Sequence, residues 1–77
     1  MIFRYDNETD MLYVKFADAV SVESEEVAEG IVLDFDSDNR VIGIEIEDAG
    51  RRMDLERLEL NSVPISNIIF SESPALA

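Results

Sequence analysis

Cysteine, histidine and tryptophan are all absent from this 77-residue chain. Without cysteine there is no disulfide, no thiolate nucleophile and no cysteine-based zinc site. Without histidine the chain lacks the usual general base at neutral pH and the commonest transition-metal ligand. Basic residues are scarce as well: 6 Lys and Arg stand against 18 Asp and Glu, a net charge of −12. Such a surface repels nucleic acid and anionic membranes and favours a cationic partner, whether a basic protein, a polyamine or a metal ion. The same carboxylates also serve solubility without any partner. No apolar run approaches the roughly 20 residues that span a bilayer. The opening Met1-Ile-Phe-Arg-Tyr-Asp6 enters a strand pattern directly and lacks the layout of a signal peptide. A cytoplasmic protein is the expectation.

What is present argues for a folded domain. Apolar residues make up 47 % of the chain, and disordered acidic chains are poor in them. A chain this short buries only about 60 % of its unfolded surface. With no disulfide or structural zinc to supplement the core, self-association is the remaining device, and a homodimer is expected.

Ile2-Phe-Arg-Tyr-Asp6 and Met11-Leu-Tyr-Val-Lys-Phe16 read as strands around the turn Asn7-Glu-Thr-Asp10. Leu12, Val14 and Phe16 share one face of the second, and Met11, Tyr13 and Lys15 the other. Ile31, Leu33 and Phe35, then Ile42, Ile44 and Ile46, alternate in the same way around the polar segment Asp36-Ser-Asp-Asn-Arg40, the pattern of a β-hairpin. A one-residue slip there would carry carboxylates into the core, so the register is firmly specified. Two readings fit Asp18–Glu29, where valines punctuate Ser21, Glu23, Ser24, Glu25 and Glu26: a bulged or edge strand guarded by charge, or an acidic loop. Gly30 permits a bend before the next strand.

From Asp48 to Leu60 the sequence reads as a short helix with Asp48 as N-cap. Gly50 weakens its first turn, so the expected helix runs from about Met53 to Leu60, with Leu55 and Leu58 on its apolar stripe. Pro64 ends it. The expected domain covers residues 1–63, and residues 64–77 form a tail with a second apolar cluster at Ile68-Ile-Phe70. That tail packs on the sheet, adds a strand or crosses to a second subunit, and it frays from Ser71 to Ala77.

Several residue groups invite a chemical reading. Asp34, Asp36, Asp38 and Glu45 match positions 1, 3, 5 and 12 of an EF-hand loop. Against calcium, Asn39 stands where Gly makes the sharp turn, both flanks read as strands, and Glu45 would lie along the return strand. A polar hairpin turn is the better account, with at most weak divalent-cation binding through Asp34, Asp36 and Asp38. Carboxylate pairs such as Asp6 with Asp10 or Glu45 with Glu47 could do acid–base work only in a cleft that desolvates one of them. A small sheet-plus-helix has little room for one, so no catalytic residue and no cofactor is expected. The aromatic rings lack a basic groove for nucleic acid and read as core or interface residues. Glu23, Glu25, Glu26 and Glu29 form the best recognition segment, either a docking surface for a basic protein or a solvated, protective edge.

Read in order, Tyr5-Asp6, Asp10-Met-Leu-Tyr-Val14, Glu25-Glu-Val27, Gly30-Ile-Val-Leu-Asp-Phe-Asp36 and Val41-Ile-Gly-Ile-Glu45 resemble a bacterial family catalogued as domain of unknown function 2283. The resemblance spans about Ile2 to Arg52. It implies a compact sheet followed by a short helix, no established activity, and small proteins some of which accompany ribonuclease-like toxins, hence an antitoxin-like role. The expected fold is α+β: an antiparallel β-meander of four to five strands with one short C-terminal helix packed on the sheet. One of its faces would lie under the helix and the other, with Val32, Val41, Tyr5 and Tyr13 or their opposites, in a dimer. The expected function is a non-enzymatic interaction module binding a basic partner, and the alternatives are a homo-oligomeric structural module or a weak cation binder.

Overall fold

Leu12 and Val14 are buried while Tyr13 and Lys15, alternating with them, are exposed, so a single strand already tells which side of the sheet is the core. The computed structural model describes residues 1–71. Its elements are β1 (Ile2–Asp6), β2 (Met11–Lys15), β3 (Glu23–Ala28), β4 (Ile31–Phe35), β5 (Val41–Ile46) and a single helical turn, α1 (Ala49–Arg52). The five strands form one antiparallel sheet in the order β1-β2-β5-β4-β3. This is the expected α+β arrangement: β3, β4 and β5 run as a meander, and the β1–β2 hairpin closes onto β5. The crossing segment after β2 makes that possible, with Phe16 N–H donating to the Ile42 carbonyl and Val22 N–H to the Phe35 carbonyl.

Residues directly opposite in antiparallel strands share a face. Tyr5, Leu12, Ile46 and Ile31 therefore form one row across four strands, and Phe3, Val14, Ile44 and Leu33 a second. Ala49 of α1, wholly buried, packs on Leu12, Val14 and Ile46, and Ile31 and Ile44 flank the cluster. The opposite face, mixed in polar and apolar residues, carries Arg4, Tyr13, Glu45 and Val32 in one row and Ile2, Lys15, Gly43 and Asp34 in the next. Tyr5 and Tyr13 thus lie on opposite faces, and the expected grouping of the two on one face is corrected. The turn length sets this: Asp6 pairs with Met11, which brings Tyr5 opposite Leu12.

The helix also differs from expectation. It occupies Ala49–Arg52, and Met53 is already extended at φ −146°, ψ 162°. Residues 54–71 form neither helix nor strand. Met53, Leu55, Leu58 and Leu60 recur at two, three and two residues, a spacing that keeps no constant helical face, and this explains why the leucines fail to extend the helix. Asp48 does stand at the N-cap position, but in the left-handed region (φ 53°) and without a side-chain capping bond. Asp10 supplies the cap from 40 residues away: its Oδ1 accepts the Gly50 N–H at 2.9 Å, and its carbonyl accepts the Ala49 N–H at 2.9 Å. A Cβ on Gly50 would approach that Oδ1 to 2.9 Å, so the glycine makes room for the carboxylate.

Ile68, Ile69 and Phe70 are exposed, and the tail adds no strand among the described residues. The expected frayed end, Ser71 to Ala77, lies outside them except for Ser71. Among the described residues no helix is long and apolar enough to cross a membrane.

Candidate functional site

Within the acidic segment Asp18–Glu29, Glu23–Ala28 is a strand and the residues before it are not. β3 pairs with β4 through the short turn at Glu29 and Gly30, where Gly30 adopts φ 79°, a region in which an L side chain is strained. Glu26 Oε2 accepts the Gly30 N–H at 3.2 Å and braces that turn. Every residue of β3 is exposed, and among the described residues its outer side has no neighbouring strand. Glu23 and Glu25 lie opposite Phe35 and Leu33, whereas Glu26 lies opposite Val32 on the other face. A register shift between Glu26 and Ala28 bends the end of the strand, as a bulge does. The carboxylates therefore flank the edge on both faces, with Glu29 at its end. Among the described residues none of Glu23, Glu25, Glu26 and Glu29 joins an ion pair: the bridges are Lys15–Asp18, Arg40–Asp36, Arg40–Asp38, Arg51–Asp48 and Arg57–Glu59.

Asp34, Asp36 and Asp38 go separate ways. Asp34 lies on the mixed face, where its Oδ1 accepts the Ser24 hydroxyl at 2.6 Å. Asp36 Oδ1 accepts the backbone N–H of Asp38 at 2.8 Å and of Arg40 at 3.0 Å, the local bonding that makes aspartate a turn former. Those bonds hold the Asp36 carboxyl below the usual range, led by the Arg40 amide, then the Asp38 amide and the Arg40 charge, against some burial. Asp38 pairs with the Arg40 guanidinium at 2.8 Å. Asn39 takes φ 61°, a left-handed conformation that asparagine tolerates, and so fills the turn without glycine. Among the described residues no group of three or more acidic side chains is arranged to hold a metal ion.

Two further carboxyl groups have partners other than those the sequence suggested. Glu45, which has no EF-hand neighbour to close on, sits beside Asp34. Burial first, then the hydrogen bond and the charge of Asp34, push its carboxyl above the usual range. Cross-strand register alone, which pairs Asp34 with Gly43 and Val32 with Glu45, would have revealed this diagonal contact. Asp10, read from sequence as a turn residue, accepts the Tyr5 hydroxyl at 2.7 Å in addition to its helix bonds. That hydroxyl, then the Gly50 amide and the Arg51 charge, hold its carboxyl below the usual range despite some desolvation. Beyond burial, the Glu45 carboxyl answers to Asp34 rather than to Glu47, and the Asp10 carboxyl answers to Tyr5 and Gly50 rather than to Asp6.

Above the mixed face lies an open groove of about 520 Å³, floored by Gly43 and bordered by Arg4, Tyr13, Lys15, Asp34 and Val20. It stands open to solvent rather than enclosing a reactant, and Val20 is exposed.

No curated protein and no solved structure gives a significant match to this chain. A family model does, over residues 2–49, which takes in the whole sheet and leaves everything from Gly50 onward outside. Covering more than half of the chain, that match places it in the family described as Protein of unknown function (DUF2283).

Proposed function

We propose that this chain is a non-enzymatic protein-interaction module, antitoxin-like in that its acidic edge strand docks a basic protein. The observation that carries the reading is β3: an outer strand, exposed throughout, whose glutamates meet no cation of their own chain among the described residues. An edge strand offers unpaired backbone N–H and C=O groups to an extended segment of a partner, and flanking carboxylates select a segment bearing Lys or Arg. Attraction of this kind speeds encounter and weakens steeply with salt.

The test is capture from native lysate at low and then high salt, with Glu23→Gln/Glu25→Gln/Glu26→Gln as the comparison chain. A stoichiometric basic protein, released by salt and absent from the variant, supports the reading. Recovery of the bare chain at both salt levels, or equal capture by the variant, counts against it.

Self-association is a second reading with its own support. The buried apolar side chains are Leu12, Val14, Ile42, Ile46 and Ala49, and among the described residues no large side chain is fully buried. Phe3, Phe16, Val20, Leu58 and Ile69 are all exposed. The radius of gyration is 13.4 Å, against ~11 Å for compact packing of a chain this long. A fold this sparsely filled gains from a second copy.

A further inference from the structure

Two molecules that each carry a net charge of −12 repel one another unless they meet where the local charge cancels. Among the described residues the sheet has two free edges, and β3 is closed to a second copy because its glutamates would face glutamates. At the other edge, β1 carries one cation and one anion, Arg4 and Asp6, among Ile2, Phe3 and Tyr5. Those three apolar side chains are 49 %, 53 % and 39 % exposed. Among the described residues Arg4 has no ion-pair partner and the Asp6 carboxylate accepts only the Glu8 N–H.

We infer that two copies pair antiparallel through β1, with Arg4 of each opposite Asp6 of the other, so that the two sheets become one. The inference rests on the self-association reading and names its surface. The register follows from two constraints. A two-fold axis normal to the sheet keeps the apolar faces continuous, so side chains of like parity must oppose. Three registers then overlap three or more strand residues, and one of them, centred on Phe3, sets Arg4 against Ile2 and leaves its charge uncompensated, so two remain to be compared. One sets Arg4 against Arg4 of the second copy, which repels. The other centres on Tyr5 and forms two Arg4–Asp6 pairs, and this one the charges select. In it Tyr5 of each copy meets the other on the apolar face, and the row Tyr5, Leu12, Ile46, Ile31 runs on into its counterpart. The Tyr5 ring is already tethered through its hydroxyl to Asp10, so little freedom is lost when it is covered.

The experiment is sedimentation equilibrium of the full chain, alone, as wild type, Arg4→Asp, Asp6→Arg and the double swap, with circular dichroism checking the fold of each. A dimer is expected for the wild type, with Kd rising at least ~10-fold in either single swap because two attractive pairs become repulsive. The double swap exchanges the members of each pair and should return Kd to within about threefold of wild type. Singles that weaken the dimer without rescue in the double overturn the register. A dimer indifferent to all three variants overturns the assignment to β1 while leaving self-association standing. A wild type that stays monomeric at millimolar concentration overturns both. Amide exchange of the wild type gives an independent readout free of any variant. Protection of β1 amides that grows with protein concentration, with β3 unchanged, supports the pairing, and growth at β3 instead overturns it.

Discussion

β1 and β3 are the two outer strands of one sheet, similar in length and exposed along their whole course, yet they differ in nearly every side chain. β3 spends its positions on Glu23, Glu25 and Glu26; β1 balances Arg4 with Asp6 and keeps Ile2, Phe3 and Tyr5. Their backbones offer the same hydrogen-bonding groups. The contrast teaches that the side chains of an edge, rather than its free backbone, decide what it can pair with.

Exchanging the chemistry of one edge for that of the other should produce the largest effect. Glu23→Thr/Glu25→Thr/Glu26→Thr leaves a strand-favouring, uncharged β3, so both edges become available and association no longer closes at two copies. Light scattering should record species larger than the parent, growing with concentration; an unchanged size would show that the glutamates do not guard the edge. A smaller effect is expected from Gly30→Ala, which forces a Cβ at φ 79° and to within 2.6 Å of Arg52 Nη2. Since the guanidinium can move, the backbone strain dominates, about 1 kcal/mol, or a fall in Tm of roughly 4–8 °C. Amide exchange should speed in β3 and β4 more than in β1 and β2, and a uniform change would mean that the two edges unfold as one unit. The smallest effect belongs to Glu45, on the face between the edges. Its folded pKa is raised, so it favours the fold fully below the unfolded value and that contribution disappears as pH rises through the folded one. Glu45→Gln should therefore raise Tm slightly at pH 7, and the gain should fade as pH falls below the usual carboxylate range. A gain that persists at low pH would point to packing instead of charge.

The strands that alternate apolar with polar residues were legible from the sequence of β2, β4 and β5, although burial follows that period only in β2. β3 was not decided by its own residues, for glutamates carry little strand preference. Pairing with β4 through Gly30 makes it a strand, and that is a tertiary fact. Leucines after Met53 suggested a helix, while the helix that forms contains Gly50, a residue that reads as a helix weakener. The missing information was Asp10, whose approach to Gly50 no local window contains. Glu23, Glu25, Glu26 and Glu29 could be named as a segment from sequence, but that they flank a free edge on both faces required the register. The Asp34–Glu45 contact was hidden for the same reason.

The bonds from Asp10 to Ala49 and Gly50 also bear on the order in which the chain folds. A single turn of helix is far too short to nucleate in water by itself. α1 takes its cap from the β1–β2 turn, so it cannot form until that hairpin has docked beside β5 and the intervening loop has closed. α1 is then a late-forming latch, and a probe attached to its exposed Arg51 would report completion of the whole sheet rather than any local event.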